Sequence, residues 1–206
     1  MGKICIVDYG VGNLRSVTKA LEKVGAEVVV TSERNVLKFH DVVVLPGVGS
    51  FDAAIVNLQR QNLMDVLMEK VKNGFVFGIC LGYQLLYESS EEGVEKGLGI
   101  LKGKVCRFPT KSGLKVPHMG WNKITVVKSS SILSEFSDKY VYFVHSYYVV
   151  NFDRSVVAAV CNYGINFDAA VETENIFATQ FHPEKSGKVG LKILENFLKV
   201  VKKRWL

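Results

Sequence analysis

The sequence predicts an α/β fold: a central, mostly parallel sheet with helices on both faces and additional antiparallel strands in the second half. Two observations carry this. Up to residue 89, short apolar runs alternate with amphipathic stretches, which is the pattern of strand-helix-strand units. From residue 104 to residue 180 the strand-like runs are closely spaced, which points to antiparallel or mixed pairing there.

In order, Ile4 to Tyr9 reads as a strand, Asn13 to Val24 as a helix and Glu27 to Thr31 as a second strand. Val42 to Leu45 is a third strand that ends at Pro46-Gly47. Helical patterning follows over Phe51 to Gln59 and Asn62 to Asn73. Phe75 to Ile79 is then a buried strand, and Leu81 to Ser89 a helix. Lys104 to Phe108, Asn122 to Val127, Tyr140 to Val144, Val156 to Cys161, Ala169 to Thr173 and Ile176 to Gln180 are strand-like, and Lys188 to Lys202 is a closing amphipathic helix. No repeat, low-complexity tract or Pro/Ser-rich linker interrupts the 206 residues, so a single domain over 1–206 is expected.

Hydrophobic residues make up 48% and charged residues 22%, a balance that argues against disorder, and no apolar run approaches membrane-spanning length. A strand pattern starts at Lys3 with no targeting segment before it, so a cytoplasmic location is expected. The four cysteines, at 5, 80, 106 and 161, are too scattered for a zinc knuckle or a CxxC pair, and reduced thiols are expected. The net charge of +6 is spread along helix-like segments, with one compact cluster at Lys202-Lys203-Arg204. A solvated basic face or an acidic protein partner explains it better than nucleic acid.

The stretch with the most chemistry is Phe77-Gly78-Ile79-Cys80-Leu81-Gly82-Tyr83-Gln84. A side chain lifted onto a sharp strand-to-helix turn needs small neighbours, which Gly78 and Gly82 supply. The turn puts Cys80 at a helix N-terminus, where unpaired N–H groups favour the thiolate. A buried structural cysteine in a glycine-rich turn is the alternative. Gly10-Val11-Gly12-Asn13 resembles the start of a dinucleotide fingerprint, but Arg15 stands at the third glycine position and no acidic residue ends the second strand. Pro46-Gly47-Val48-Gly49-Ser50 follows the third strand at the same edge of the sheet, where its N–H groups could complete an oxyanion hole with that of Leu81. It reads equally well as an ordinary turn before a helix.

A thiol nucleophile needs a base, and the base an orienting acid. Phe181-His182-Pro183-Glu184, directly after an apolar strand, supplies both. His182 should emerge at a strand end with Glu184 against one ring nitrogen and the other facing the thiol.

The three segments 78–84, 46–50 and 180–184 resemble, in order and across nearly the whole chain, the signatures of the class I (triad) glutamine amidotransferases. The resemblance implies a three-layer, flavodoxin-like fold and a glutaminase with catalytic Cys80, His182 and Glu184. Cys80 attacks the side-chain amide of glutamine, His182 protonates the leaving ammonia and Glu184 orients His182. It implies an oxyanion hole at Val48, Gly49 and Leu81, and substrate contacts from Gly47, Gln84, His145, Ser146 and Tyr147. No cofactor and no metal are implied. Many relatives carry glycine where this chain has Val48, and a β-branched residue resists positive φ. The oxyanion hole is therefore expected to stay incomplete until a partner and its ligand bind.

No synthase domain is attached, so an acceptor subunit is expected in trans. Asp8 to Leu14, Val116 to Asn122 and His182 to Ser186 are similar to the branch of the family that provides glutaminase subunits of imidazole glycerol phosphate synthase, in histidine biosynthesis. The implied partner is a cyclase with a (β/α)8 barrel in a 1:1 heterodimer, docked near Asn13, Trp121 and Lys185. A glutaminase for anthranilate, aminodeoxychorismate or pyridoxal phosphate synthesis, and a binding module with an inactive site, are the competing readings; the intact Cys80, His182 and Glu184 argue against the latter.

Overall fold

A computed structural model describes residues 3–109 and 113–204. Among them the strands form one eleven-stranded sheet. Its first half is parallel, with β1 (Ile4–Val7), β2 (Val28–Thr31), β3 (Val42–Gly47), β4 (Phe75–Cys80) and β11 (Ile176–Thr179) in the order β2-β1-β3-β4-β11. Every residue of β1, β3, β4 and β11 is buried. Their side chains alternate between two cores. Ile4, Ile6, Val42, Val44 and Phe77 meet α1 (Leu14–Lys23) and α6 (Gly187–Arg204) on one face. Cys5, Val7, Val43, Leu45 and Val76 meet α3 (Phe51–Arg60) and α4 (Met64–Asn73) on the other. A sheet covered on both faces has no polar side to show, which is why these strands read as unbroken apolar runs.

The helices start and stop for local reasons. The Asn13 side chain accepts from the Ser16 N–H at 3.4 Å to cap α1, which buries Val17, Ala20 and Leu21 at helical spacing. Ser50 caps α3 through the Ala53 N–H at 3.3 Å. In the second half β10 (Ile165–Glu172), β9 (Val157–Tyr163), β6 (His118–Val126) and β7 (Tyr140–His145) continue the sheet from β11, all antiparallel. β5 (Gly103–Arg107) pairs with β8 (Tyr147–Asn151), which joins the sheet at Asp168 opposite Val149.

Several element boundaries differ from the sequence expectation. The helix after Cys80 is only α5 (Leu81–Gln84), not Leu81 to Ser89. The carbonyls of Leu85, Leu86, Tyr87 and Glu88 accept from Leu98, Ile100, Gly99 and Gly97, so a returning loop supplies the donors that a continuing helix would have provided. A short helix α2 (Arg34–Phe39) and strand β8 were not expected. β10 starts at Ile165 rather than Ala169, across the polar Asn166 and Asp168. Asp168 is tolerated inside a strand because Arg154 lies 2.7 Å away and Asn151 donates to it from backbone and side chain. β6 begins four residues before the expected Asn122, so Trp121 belongs to a strand.

The topology positions the site. β3, β4 and β11 are adjacent and parallel, so the segments that follow them, 46–50, 80–84 and 180–184, leave one edge of the sheet side by side. Gly47 pairs with Cys80 in register.

Candidate active site

Cys80 ends β4 and precedes α5 with φ +55° and ψ −107°, a conformation that costs an L-residue about 1–3 kcal/mol. The surroundings enforce it. A Cβ on Gly82 would lie 1.7 Å from the Leu45 carbonyl oxygen, and one on Gly78 would lie 2.8 Å from that of Gly82. The elbow can therefore close only with glycine at both places. The thiol lies 3.9 Å from the Val144 carbonyl, and Gln180 Nε2 donates to the sulfur at 3.7 Å.

His182 follows β11, its backbone N–H bonded to the Tyr142 carbonyl at 2.9 Å. Ser186 Oγ donates to the His182 carbonyl at 2.7 Å and accepts from the Tyr142 N–H at 2.9 Å, so the 182–186 turn is tied to β7. His182 Nδ1 lies 2.7 Å from Glu184 Oε1, and both side chains are almost completely buried. With Nδ1 committed to the carboxylate, Nε2 is the atom left for the sulfur. Among the described residues neither Nε2 nor Glu184 Oε2 has a hydrogen-bond partner. Burial disfavours a charged His182, but the neighbouring Cys80 sulfur and Glu184 outweigh it and push its pKa up to about 10. A sulfur, an imidazole and a carboxylate in this sequence can attack a carbonyl carbon and return a proton to a leaving amine.

A cavity of about 430 Å³ opens beside Cys80. Its lining collects Val48, Gly49 and Leu81 together with Gln84, His145, Ser146, Tyr147 and Lys185. Gln84 spends both amide N–H groups on the protein, one on the Tyr147 carbonyl and one on Gln180 Oε1, each at 3.0 Å. Its oxygen is what remains for a ligand.

The His145 ring and Gly47 are both engaged within the protein. His145 has no ring nitrogen free for a ligand, since Nε2 meets His118 Nδ1 at 3.0 Å and Nδ1 meets the Tyr147 carbonyl at 2.7 Å. Burial, helped by the charges of His118 and His182 and opposed by the Tyr147 carbonyl, lowers its pKa to about 3, so it is a neutral buttress for Tyr147. Gly47 is buried behind the cavity wall, where a Cβ would lie 2.5 Å from the Tyr9 hydroxyl and 2.8 Å from Leu81 Cβ. Its smallness lets the 46–50 loop lie against the elbow.

Sequence reasoning gave no role to Glu92 and Gln180. Glu92 lines the cavity and accepts from the Phe51 N–H at 2.8 Å. It lies in a loop whose Val94 and Glu95 N–H groups bond to Asp52, and no sequence spacing announces it. Gln180 did leave a signal, because residues i and i+2 at a strand end face the same way, and Gln180 stands two before His182.

Two large apolar side chains are exposed on β6. Met119 and Trp121 on β6 are 62% and 55% exposed, and Trp121 meets the Tyr142 ring edge-on at 6.1 Å. Lys185 Nζ sits over the same Tyr142 ring at 5.9 Å, while Asn13 caps α1, which packs against the 183–185 turn.

The family model for class-I glutamine amidotransferases matches residues 5–201. The chain belongs to the class I glutamine amidotransferase family. Among curated relatives it is 51% identical over 203 residues to the imidazole glycerol phosphate synthase subunit HisH of Thermosynechococcus vestitus, covering 97% of each chain. It is 52% identical over 202 residues to the subunit of the same name from Aquifex aeolicus, covering 96% of this chain and 97% of that one. For the Geobacter sulfurreducens subunit the identity is 49% over 205 residues, covering 96% and 98%. Among solved structures, PurLQS from Thermotoga maritima superposes with a TM-score of 0.76 at 20% identity over the whole of both chains. A crystal structure of a glutamine amidotransferase gives 0.76 at 19% identity, covering 97% and 99%. These two likenesses establish the fold, the flavodoxin-like three-layer architecture of class I amidotransferases.

Proposed function

We propose that this chain is the glutaminase subunit of an imidazole glycerol phosphate synthase, and that Cys80, His182 and Glu184 are its catalytic triad. The observation that carries the chemistry is the buried His182–Glu184 pair, at 2.7 Å, set beside a cysteine on a strained elbow. The near-complete span of 49–52% identity to subunits of that synthase supports the pathway, histidine biosynthesis.

Glutamine enters the cavity with its side-chain amide at Cys80. The thiol proton already rests on His182 Nε2, and as the sulfur anion bonds to the amide carbon the oxygen that gains charge turns to the N–H groups of Leu81 and the 48–49 loop. The C–N bond breaks as the imidazolium returns its proton to nitrogen, which leaves as ammonia. Water, deprotonated by His182, then attacks the thioester and releases glutamate with the thiol restored. Glu184 holds Nδ1 throughout and stabilises each imidazolium. The free oxygen of Gln84 and the carboxylate of Glu92 suit the α-ammonium of the substrate, and the 146–147 backbone lies beside them.

Ammonia is consumed by a cyclase subunit, which makes imidazole glycerol phosphate and an aminoimidazole carboxamide ribotide (AICAR). We assign this partner a (β/α)8 barrel, one per glutaminase, docked on the face with Asn13, Trp121 and Lys185, in the cytoplasm. Exposed Met119 and Trp121 match the large apolar side chains that anchor interfaces. A coupled assay tests the assignment: this chain, a purified cyclase subunit, the phosphoribosyl-formimino substrate and glutamine should yield product. Failure to do so, with the same cyclase active on ammonia, would sink it.

Glu92→Gln provides a test of the substrate pose. Burial, together with the Asp52 charge and against the Phe51 N–H, raises the Glu92 pKa, so an incoming ammonium is the partner that favours its charged form. Loss of that pairing should raise KM for glutamine about 10- to 100-fold with a smaller change in kcat. An unchanged KM would remove Glu92 from the binding site.

A further inference from the structure

Two buried glutamine amides lie between the substrate loop and the nucleophile. Gln84 is nearly buried and Gln180 completely so. Gln84 Nε2 is 3.0 Å from the Tyr147 carbonyl and 3.0 Å from Gln180 Oε1, and Gln180 Nε2 is 3.7 Å from Cys80 Sγ. A backbone carbonyl can only accept, so it decides which end of the Gln84 amide is the NH2. The second N–H of Gln84 then needs an acceptor and selects the oxygen of Gln180. The Gln180 NH2 is left facing sulfur.

The far end of the row is fixed in the same sense. The Tyr147 carbonyl also accepts from His145 Nδ1 at 2.7 Å, which leaves His145 Nε2 to accept from His118 Nδ1 at 3.0 Å. His118 Nε2 in turn accepts from Asn122 Nδ2 at 3.4 Å. One polarity satisfies every member. Turning Gln180 over would set two amide nitrogens against each other and an oxygen against the sulfur.

We infer that Gln180 is a positioning residue for the nucleophile: its amide, oriented by Gln84 and the Tyr147 carbonyl, directs an N–H at the Cys80 sulfur and holds it for attack. This rests on the proposed thiol chemistry of Cys80. An N–H donor binds a sulfur anion more strongly than a thiol, and the same contact restricts where the sulfur can swing before attack. The row also links the substrate-binding amide to the nucleophile. Gln84 bonds to the substrate loop and to Gln180 at once, so the groups that hold glutamine and the group that attacks it share one rigid reference.

The test uses Gln180→Met, which keeps length and loses the donor, and Gln180→Glu, which keeps the shape and an acceptor for Gln84 but turns oxygen to sulfur. Each is prepared as the full chain bound to the cyclase subunit, with ammonia-dependent synthesis and the thermal melting curve as checks on folding and assembly. Alkylation of Cys80 by iodoacetamide, read by mass spectrometry of the Cys80 peptide, follows the sulfur without requiring glutamine to bind. The expected result is a fall of about tenfold or more in alkylation rate for both variants, with kcat for glutamine falling in parallel and KM little changed. Gln84→Met has no contact with sulfur yet should slow alkylation too, because Gln180 is then free to turn; this variant carries the test where Gln180→Met fails to fold. Alkylation at the parental rate in the folded variants, or a loss confined to KM, overturns the inference. Failure of the underlying reading is separate: a Cys80→Ala protein that still hydrolyses glutamine at the parental rate removes the thiol mechanism itself.

Discussion

Cys80→Ala should reduce glutamine-dependent formation of imidazole glycerol phosphate by about 10⁴-fold or more while leaving the ammonia-dependent reaction of the same complex close to the parental rate. The first half follows from the chemistry, since no second thiol lines the cavity: the remaining cysteines are at 5, 106 and 161, all buried elsewhere in the fold. The second half follows from the division of labour, because ammonia made in solution bypasses the cavity beside Cys80. Folding should survive the change. Alanine keeps the Cβ that the elbow already accommodates, and the side-chain contacts it loses, at 3.7 and 3.9 Å, are long. The strain at φ +55° stays as it was. Product formation measured with glutamine and with ammonium salt, in parallel, checks both halves. Loss of both activities would mean that Cys80 supports the assembly rather than the chemistry; retention of both would end the triad proposal.

That the site could be read from sequence at all depends on where its parts sit in the sheet. Cys80, the 46–50 loop and His182 each follow a short apolar run, and such runs in neighbouring parallel strands deliver their ends to one edge. Local signals therefore sufficed: glycines at 78 and 82 for the elbow, a proline between His182 and Glu184 for the turn. The parts that stayed hidden are those made by pairing across the chain. The helix after Cys80 read as longer than it is because Leu85 to Glu88 keep helical composition while giving their carbonyls to residues 97–100. β8 was invisible because Ser146 alone separates it from β7, too little for a turn signal. β10 lost its first four residues to the apparent polarity of Asn166 and Asp168, and only the buried contacts of Asp168 with Arg154 and Asn151 explain how a strand holds a carboxylate. Glu92 reaches the cavity on a loop fixed by Asp52, forty residues earlier. For His145 the position beside the cavity was readable, but the commitment of both its ring nitrogens was not.

The second large effect concerns the loop at 46–50. Activity of the isolated chain on glutamine should be about 10²- to 10³-fold below that of the complex with cyclase and its ligand, the span associated with one missing oxyanion donor. Among the described residues the non-glycine positions with positive φ are Asn62, Cys80 and Asp138, so Val48 keeps an ordinary negative φ, and Gly49 beside it takes φ +109°. Turning the Val48 N–H toward the cavity asks a β-branched residue to adopt the conformation its branching opposes. Something must compensate for that cost. Val48 is 38% exposed at the cavity rim and Lys185 lines the same cavity, beside the apolar Met119 and Trp121 face, so a docked subunit is the nearest source of compensating contacts. Val48→Gly lowers the cost without touching the triad, since glycine reaches positive φ freely. It should raise hydrolysis by the isolated chain and shrink the ratio between complexed and isolated rates, leaving the rate of the complex nearly unchanged. Steady-state glutaminase assays of both proteins, with and without cyclase, measure that ratio directly. An isolated parent chain as fast as the complex would show that the oxyanion hole is already complete, and equal activation ratios in parent and Val48→Gly would place the barrier somewhere other than this peptide.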